Sequence, residues 1–409
     1  MFMDNSKEIF NIALDLESPW FVSSVKLEDN SGTKILHIVL SFQRGSQFVS
    51  ADGHSYTAYD TVDRTWQHLN FFEHKCFLHA SVPRVKQKDG KVITQQVPWA
   101  RRGSGFTLLF EAYSMLLIEN EMPVKKASGI MGIYPQRLWN IFSYWVSKAH
   151  NQDKIGDVET IGFDETSSKK GHNYITTMVD LKQRRVLFAS PGKGAKNIEE
   201  AVNYLESKSV DIQNVNQVCI DMSPSFISGC INHLPNAEIT FDKFHVIKEV
   251  NAAMDELRKA ERKGNDRLKG HRYTFLKSRL IPDLQNERDL LLEMYPKLGD
   301  GYRLMHLFKD FWDIKNKEDA EGYLAFWCDL ALENRIAPFE KVVNTIKAHW
   351  NGIINYIQSN INNGILEGIN SKIQLAKKRA RGYRNIENFI NMIYFTCGKL
   401  QFDYPLYSI

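Results

Sequence analysis

Asp164, Asp221 and Glu367 are the residues of this 409-residue chain whose types and settings could do chemistry together. Asp164 follows the short apolar run Thr160-Ile-Gly-Phe163, and Asp221 follows Gln217-Val-Cys-Ile220. Both runs read as strands, and a strand end fixes the backbone while opening to solvent, which is where ligands collect. Glu367 opens a segment of helical period. There Leu366, Ile369, Ile373, Ala376 and Ala380 form an apolar stripe beside a polar one of Glu367, Asn370, Ser371, Gln374, Lys378 and Arg381. From Gly368 to Ile386 the segment holds six Lys or Arg and no acid. Three such carboxylates can hold two divalent cations about 4 Å apart for phosphoryl transfer, and oxygen ligands suit magnesium or manganese. The plainer reading of the last segment is a solvated basic helix whose one acid is favoured by the helix dipole.

The elements around these acids follow from periodicity. Trp20 to Val25, Thr33 to Phe42, Phe71 to Val82 and Val92 to Val97 read as strands, after a short amphipathic helix at Asn5 to Leu14. His68, His74, Cys76 and His79 lie close together but match no common zinc spacing, so packing and surface roles are the simpler reading. Helices follow at Phe106 to Glu119, Pro123 to Met131 and Tyr134 to Ala149, with Gly132 as the break. That order fits a helix-turn-helix, whose last helix presents Gln136, Arg137 and Asn140 to base edges; a plain helical bundle is the alternative. From Glu159 three strands, then alternating helix and strand, predict a mixed α/β sheet. A long helix from Phe244 to Arg262 leads into the basic run Arg258, Lys259, Arg262, Lys263, Arg267, Lys269, Arg272, Lys277 and Arg279. That run is either a solvated face or a contact to a nucleic-acid backbone. The stretch from Leu280 to Tyr356 is almost wholly helical, so the α/β domain carries a helical insertion.

The length predicts two or three domains, and 43% hydrophobic with 24% charged residues describes an ordinary globular protein. With a net charge of only +4, affinity for nucleic acid must come from local clusters. The five cysteines include no CxxC pair, which fits a reducing cytoplasm. No apolar run reaches spanning length and no signal-peptide order is present, so neither membrane nor export is expected.

Many segments resemble the ISL-three family of bacterial insertion-sequence transposases, of the DDE class, over nearly the whole chain. They include Tyr59-Asp60-Thr61, Arg64-Thr-Trp66-Gln-His68, Val82-Pro83-Arg84-Val85 and Val97-Pro98-Trp99-Ala100-Arg101 with Gly103-Ser-Gly-Phe106. They continue with Gly162-Phe-Asp164-Glu165, Gly171-His172-Asn-Tyr174, Asp221-Met222-Ser-Pro-Ser-Phe226, Leu234-Pro235-Asn236-Ala237 and Phe241-Asp242-Lys-Phe-His245-Val246. They close on Asn363-Gly364 and Glu367-Gly368-Ile-Asn370 with its basic helix.

The resemblance implies a multidomain α/β protein with an RNase H-like mixed-sheet catalytic domain. Its expected layout is a β-rich DNA-binding module at 1–98, a helix-turn-helix at 99–150, and the DDE domain at 155–409 with a helical insertion at about 265–355. By motif position Asp164, Asp221 and Glu367 are similar to the catalytic and metal-binding triad. Asp242 and His245 look like the auxiliary Asp-x-x-His of related transposase groups; a helix-capping Asp and a packed His are their plainer roles. Glu165 is expected to point away from the site. Family members usually carry a zinc ribbon, but the matching places read Val49-Ser-Ala-Asp52-Gly53 and Lys86-Gln-Lys-Asp89-Gly90, so zinc is not expected.

The function so implied is a DNA transposase of the bacterial cytoplasm, associated with the nucleoid. It would bind terminal inverted repeats in double-stranded DNA, and target DNA, as a homo-oligomer of at least two copies. Two Mg²⁺ or Mn²⁺ ions would serve cleavage and strand transfer, with Lys377, Lys378, Arg379, Arg381 and Arg384 tracking phosphates. The alternatives are an inactive or domesticated DNA-binding relative, and a nuclease that cuts without joining.

Overall fold

The computed structural model describes residues 6–30, 32–169, 171, 173–263, 266–277, 279–359, 361 and 364–404. Asn5, His172 and Asn363, named above, lie outside them. The chain divides into two compact units, Met1–Trp145 with Phe402–Ile409, and Val146–Gln401.

The first unit begins with α1 (Ser6–Ala13), followed by β1 (Trp20–Asn30), β2 (Thr33–Phe42), β3 (Gln47–Val49), β4 (Ser55–Thr57), β5 (Asp60–Phe71), β6 (His74–Lys86) and β7 (Val92–Thr94). The main sheet has the order β1-β2-β6-β5, with β7 on β6; β2 and β6 run parallel and the other pairs antiparallel. Alternation along β6 buries Cys76, Leu78, Ala80 and Val82. Trp99 packs edge-on against Trp20 and Trp66 over this face, with ring centroids 4.8 and 5.6 Å apart. The strand expected from Phe71 is cut at Phe72, whose φ of 53° makes the turn between β5 and β6. The clustered histidines have cross-strand partners: His79 Nε2 meets His37 Nδ1 at 2.9 Å, and His79 Nδ1 meets Thr65 Oγ1 at 2.9 Å.

Helices α2 (Leu108–Glu119), α3 (Val124–Ile130) and α4 (Pro135–Gln152) come next. The first starts two residues later than its pattern predicts, because the Thr107 side chain caps it by accepting from the Phe110 N–H. Gly132, at φ 65°, makes the break before α4, and the division between the two units falls within α4. A fully buried carboxylate, Glu111, ties these helices to the loop before them. It accepts from Arg101 Nε at 2.8 Å, from Ser104 Oγ at 2.6 Å and from Trp145 Nε1 at 2.8 Å.

The second unit holds β8 (Thr160–Lys169), β9 (Asn173–Asp180), β10 (Arg185–Pro191), α5 (Ala195–Ser207), β11 (Gln217–Ile220), α6 (Pro224–His233), β12 (Glu238–Phe241) and α7 (Lys243–Glu261). Six helices follow: α8 (Arg272–Leu276), α9 (Pro282–Met294), α10 (Pro296–Asp310), α11 (Lys317–Glu333), α12 (Ala337–Ala348) and α13 (Trp350–Gln358). The chain then returns to the sheet with α14 (Gly364–Arg379) and α15 (Ile386–Cys397). The mixed sheet has the order β10-β9-β8-β11-β12, antiparallel across β10, β9 and β8 and parallel across β8, β11 and β12.

Two expectations are corrected here. β8 does not stop at Phe163 but runs to Lys169, so Asp164 lies inside the strand. On its polar second half Thr166 and Ser168 stay buried because neighbours satisfy them: Thr166 Oγ1 accepts from Gln374, and Ser168 Oγ donates to the Asn173 carbonyl. The basic helix is also shorter than its pattern. It ends at Arg379; Arg381 (φ 56°) and Gly382 (φ 90°) turn the chain away, so Arg381 and Arg384 stand beyond the helix.

Candidate active site

The sheet register aligns the acids. β8 pairs with β11 at Gly162 and Cys219, and β11 pairs with β12 at Ile220 and Phe241. Two residues on from the first pair are Asp164 and Asp221; one residue on from the second are Asp221 and Asp242. Asp164 within β8, and Asp221 and Asp242 just past the ends of β11 and β12, therefore fall at corresponding places along three neighbouring parallel strands spaced about 4.8 Å apart.

Helix α14 lies along β8 in step with it. Four helical residues rise about 6 Å and two strand residues advance about 6.6 Å, so every fourth helix residue meets every second strand residue. Leu366 sits over Gly162, Asn370 donates its amide to Asp164 Oδ2, and Gln374 donates to Thr166 Oγ1 at 2.5 Å. A turn later Lys377 Nζ reaches the Ser167 carbonyl at 2.5 Å. Gly162 is required for this approach: a Cβ there would stand 2.9 Å from Leu366 Cδ2. The stripe Leu366, Ile369 and Ile373 is buried, and Glu367 on the neighbouring stripe is exposed at the cleft wall.

The cleft between α14 and the sheet has a volume of about 600 Å³. Asp164, Glu165, Asp242, His245, Glu367 and Asn370 are among its lining residues, with Ser371, Gln374 and Lys378 further along α14. Burial pushes the Asp164 carboxyl up to about 6; the Glu165 N–H and His245 pull it back, while Asp242 and Asp221 add to the rise. Asp221 is not among the lining residues but lies near enough to act on Asp164 and His245 electrostatically, and its Oδ1 accepts from the Ser223 N–H at 2.9 Å. Asp242 caps α7 through the Phe244 N–H at 2.7 Å and stands 3.3 Å from His245 Nδ1. The Asp242 carboxylate beside it raises the His245 pKa above the ordinary imidazole value, with Asp164 and Asp221 contributing.

Glu165, expected to point away, lines the same cleft, and its pKa is raised by burial first. Asp242 was expected as an auxiliary residue, and one further partner, Asn370 as the donor to Asp164, went unread in the sequence. Asp242 ends an apolar strand just as Asp221 does, and that shared sign places it in the row. Asn370, one turn after Glu367, has no local sign that its partner is Asp164.

The donor chemistry fits a divalent cation, since carboxylate oxygens are the hard ligands that magnesium and manganese take. Among the described residues no three His, Cys, Asp or Glu side chains converge on one ion position as they stand. Of the expected DNA-binding residues, Gln136, Arg137 and Asn140 share the exposed start of α4. Gln136 Nε2 donates to Asn140 Oδ1 at 3.1 Å, and the Arg137 guanidinium lies 4.2 Å from the Phe106 ring centre. Lys378 faces the cleft, whereas Lys377 is bonded to β8. Lys169 Nζ donates to the Arg384 carbonyl at 3.0 Å, fixing the loop after α14. Among the described residues no helix is long and apolar enough to cross a membrane.

Residues 161–393 match the ISL3 DDE domain model, described as Transposase, and residues 95–146 match the helix-turn-helix domain of transposase family ISL3. The transposase for insertion sequence element IS1001 of Bordetella parapertussis is 27% identical over 350 residues, covering 81% of this chain and 84% of that protein. The transposase for IS1557 of Mycobacterium tuberculosis is 24% identical over 367 residues, covering 81% of each. A chain of the simian T-cell lymphotropic virus intasome with PP2A regulatory subunit B56 gamma aligns at 13% identity and TM-score 0.16, over 41% of this chain and 69% of its own length; that likeness does not bear on the fold. The chain belongs to the ISL3 family of transposases and is an insertion-sequence transposase with a helix-turn-helix DNA-binding domain.

Proposed function

We propose that this transposase cuts and joins DNA through Asp164, Asp221 and Glu367, in an RNase H-like domain that uses two divalent ions. The observation that carries the proposal is the matched register of Asp164 and Asp221 beside the cleft wall that bears Glu367. The mixed sheet, with its antiparallel and parallel halves meeting at β8, supports the fold reading. Asp164, Asp221 and Glu367 would hold a pair of Mg²⁺ or Mn²⁺ ions, which would supply Lewis-acid stabilisation for an in-line phosphoryl displacement.

The chain's own residues do the rest. Asn370 orients Asp164, and α14 packed on β8 sets where Glu367 stands. Asp242 and His245 form an auxiliary pair at the same cleft. In the first displacement water attacks the phosphodiester at the element end, and the 3′ oxygen leaves as a hydroxyl. In the second, that hydroxyl attacks a target phosphodiester and the target's own 3′ oxygen leaves. Lys378, with Arg379, Arg381 and Arg384, meets the phosphate backbone; Lys377 serves rather to hold α14. Gln136, Arg137 and Asn140 read bases in the terminal repeats from α4. In this reading 1–98 and 99–150 hold the ends, 155–409 carries the chemistry with an insertion at about 265–355, and at least two copies pair two ends.

Purified protein incubated with a mini-transposon and Mg²⁺, beside Asp221→Asn, tests the reading. Cleavage at the ends that needs both the metal and Asp221 is the expected result. Tight end binding without cleavage under any divalent metal would overturn it and favour a DNA-binding protein without catalysis.

A further inference from the structure

The basic run after α7 is organised by a buried acid. Residues 255–279 hold nine Lys or Arg against four Asp or Glu, an excess larger than the net charge of the whole chain, which is +4. Asp255, only 5% exposed, collects three cations: Arg258 at 2.8 Å, Lys259 at 2.9 Å and Arg272 at 3.6 Å. Arg258 is itself buried and also donates to the Leu268 carbonyl at 2.9 Å, which ties the segment before α8 to α7. Lys259 and Arg272 point outward, their side chains 65% and 55% exposed. Next to Arg272 stands Tyr273, 61% exposed, with the Arg272 guanidinium 5.8 Å and the Lys277 ammonium 5.7 Å from its ring centre.

A solvated charge run neutralises itself with interleaved acids. Here one carboxylate, withdrawn from the surface, serves three cations; of the run's outward acids Asp266 pairs with Arg262 and Glu256 with Lys341, and Lys259, Arg272 and Lys277 stand around an exposed aromatic ring. The contacts form one continuous surface, Lys259–Asp255–Arg272–Tyr273–Lys277. Cations held in place lose little freedom when an anion docks, and a ring beneath them keeps them apart. Phosphates repeating along a duplex fit such an array, and nothing in it reads base edges.

We propose that Lys259, Arg272 and Lys277, arrayed around Tyr273 by the buried Asp255, form a second DNA-binding surface. It contacts the backbone of duplex DNA without regard to sequence, apart from the helix-turn-helix. Its place in the reaction is to hold target or flanking DNA.

The test measures binding of the full-length protein to a random-sequence duplex by fluorescence anisotropy across a salt series. Arg272→Gln/Lys277→Gln is compared with wild type and with Lys182→Gln/Lys196→Gln, two exposed lysines elsewhere in the unit. Loss of two phosphate contacts makes the slope of log K against log salt shallower by about 1.8, while the control double variant keeps the wild-type slope. Lys259→Gln/Lys277→Gln, which leaves the Arg272–Asp255 contact intact, shows the same change if the first variant folds poorly. An unchanged slope in both variants with an unchanged melting curve, or an equal change in the control, would overturn the proposal.

Discussion

Asn370 on α14 donates its side-chain amide to Oδ2 of Asp164 on β8, across 206 residues of chain. The bond joins the helix that carries Glu367 to the strand that carries the most perturbed acid of the cleft. Replacing Asn370 by Ala removes the donor without adding bulk. Orienting partners of metal-site acids are worth about 10–100-fold in affinity or activity. Asn370→Ala is therefore expected to slow end cleavage by that factor while binding to the element ends stays unchanged. Equal rates for variant and wild type on the mini-transposon would show that Asp164 needs no such partner.

Gly162 sets the distance between α14 and β8. A side chain there meets both Leu366 methyls at 2.9 and 3.0 Å and Leu181 at 3.1 Å. Gly162→Val overpacks this contact, at a cost of about 1–3 kcal/mol, and displaces Glu367 from the row of aspartates. Cleavage should fall far more than the melting temperature does. A fully active Gly162→Val protein would mean that the position of α14 is not set here.

Glu111 is a buried acid with three donors, and its strongest partner, Arg101, is itself only 17% exposed. The Arg101 guanidinium also lies over the Tyr144 ring, 3.9 Å from its centre. Glu111→Ala leaves the guanidinium, the Ser104 hydroxyl and the Trp145 indole without their acceptor, and breaking such a pair costs about 3–5 kcal/mol. Urea unfolding followed by tryptophan fluorescence should show an earlier transition and lost end binding. An unshifted midpoint would contradict the role given to this carboxylate.

His68 is held neutral by burial, which drives its pKa down to about 4, and its Nδ1 lies 2.8 Å from Thr107 Oγ1. Its folded pKa is below the ordinary value of 6.5, so the stabilising difference is present above pH 6.5 and is lost as pH falls towards 4. Urea midpoints measured between pH 7 and pH 4.5 should decline for wild type, and His68→Gln should flatten the decline. Parallel declines in both proteins would place the acid sensitivity elsewhere.

Periodicity along the sequence determined most of the elements: the strands before Asp164 and Asp221, the three helices of the helix-turn-helix, and the two faces of the helix after Glu367. These are patterns among neighbouring residues, so they are legible without a fold. The local patterns failed where a distant partner decides. β8 continues past its apolar half because Gln374 and Asn173 satisfy Thr166 and Ser168. The basic helix stops at Arg379 because Arg381 and Gly382 take left-handed conformations, which its charge pattern does not report. Only the tertiary structure decided that Asp242 stands in line with Asp221 and Asp164, that Glu165 joins the cleft, and that Asn370 reaches Asp164. Strand register and the seating of a helix on a strand depend on residues tens to hundreds of positions apart. Their energetics are set by packing and by hydrogen-bond partners that no local window contains.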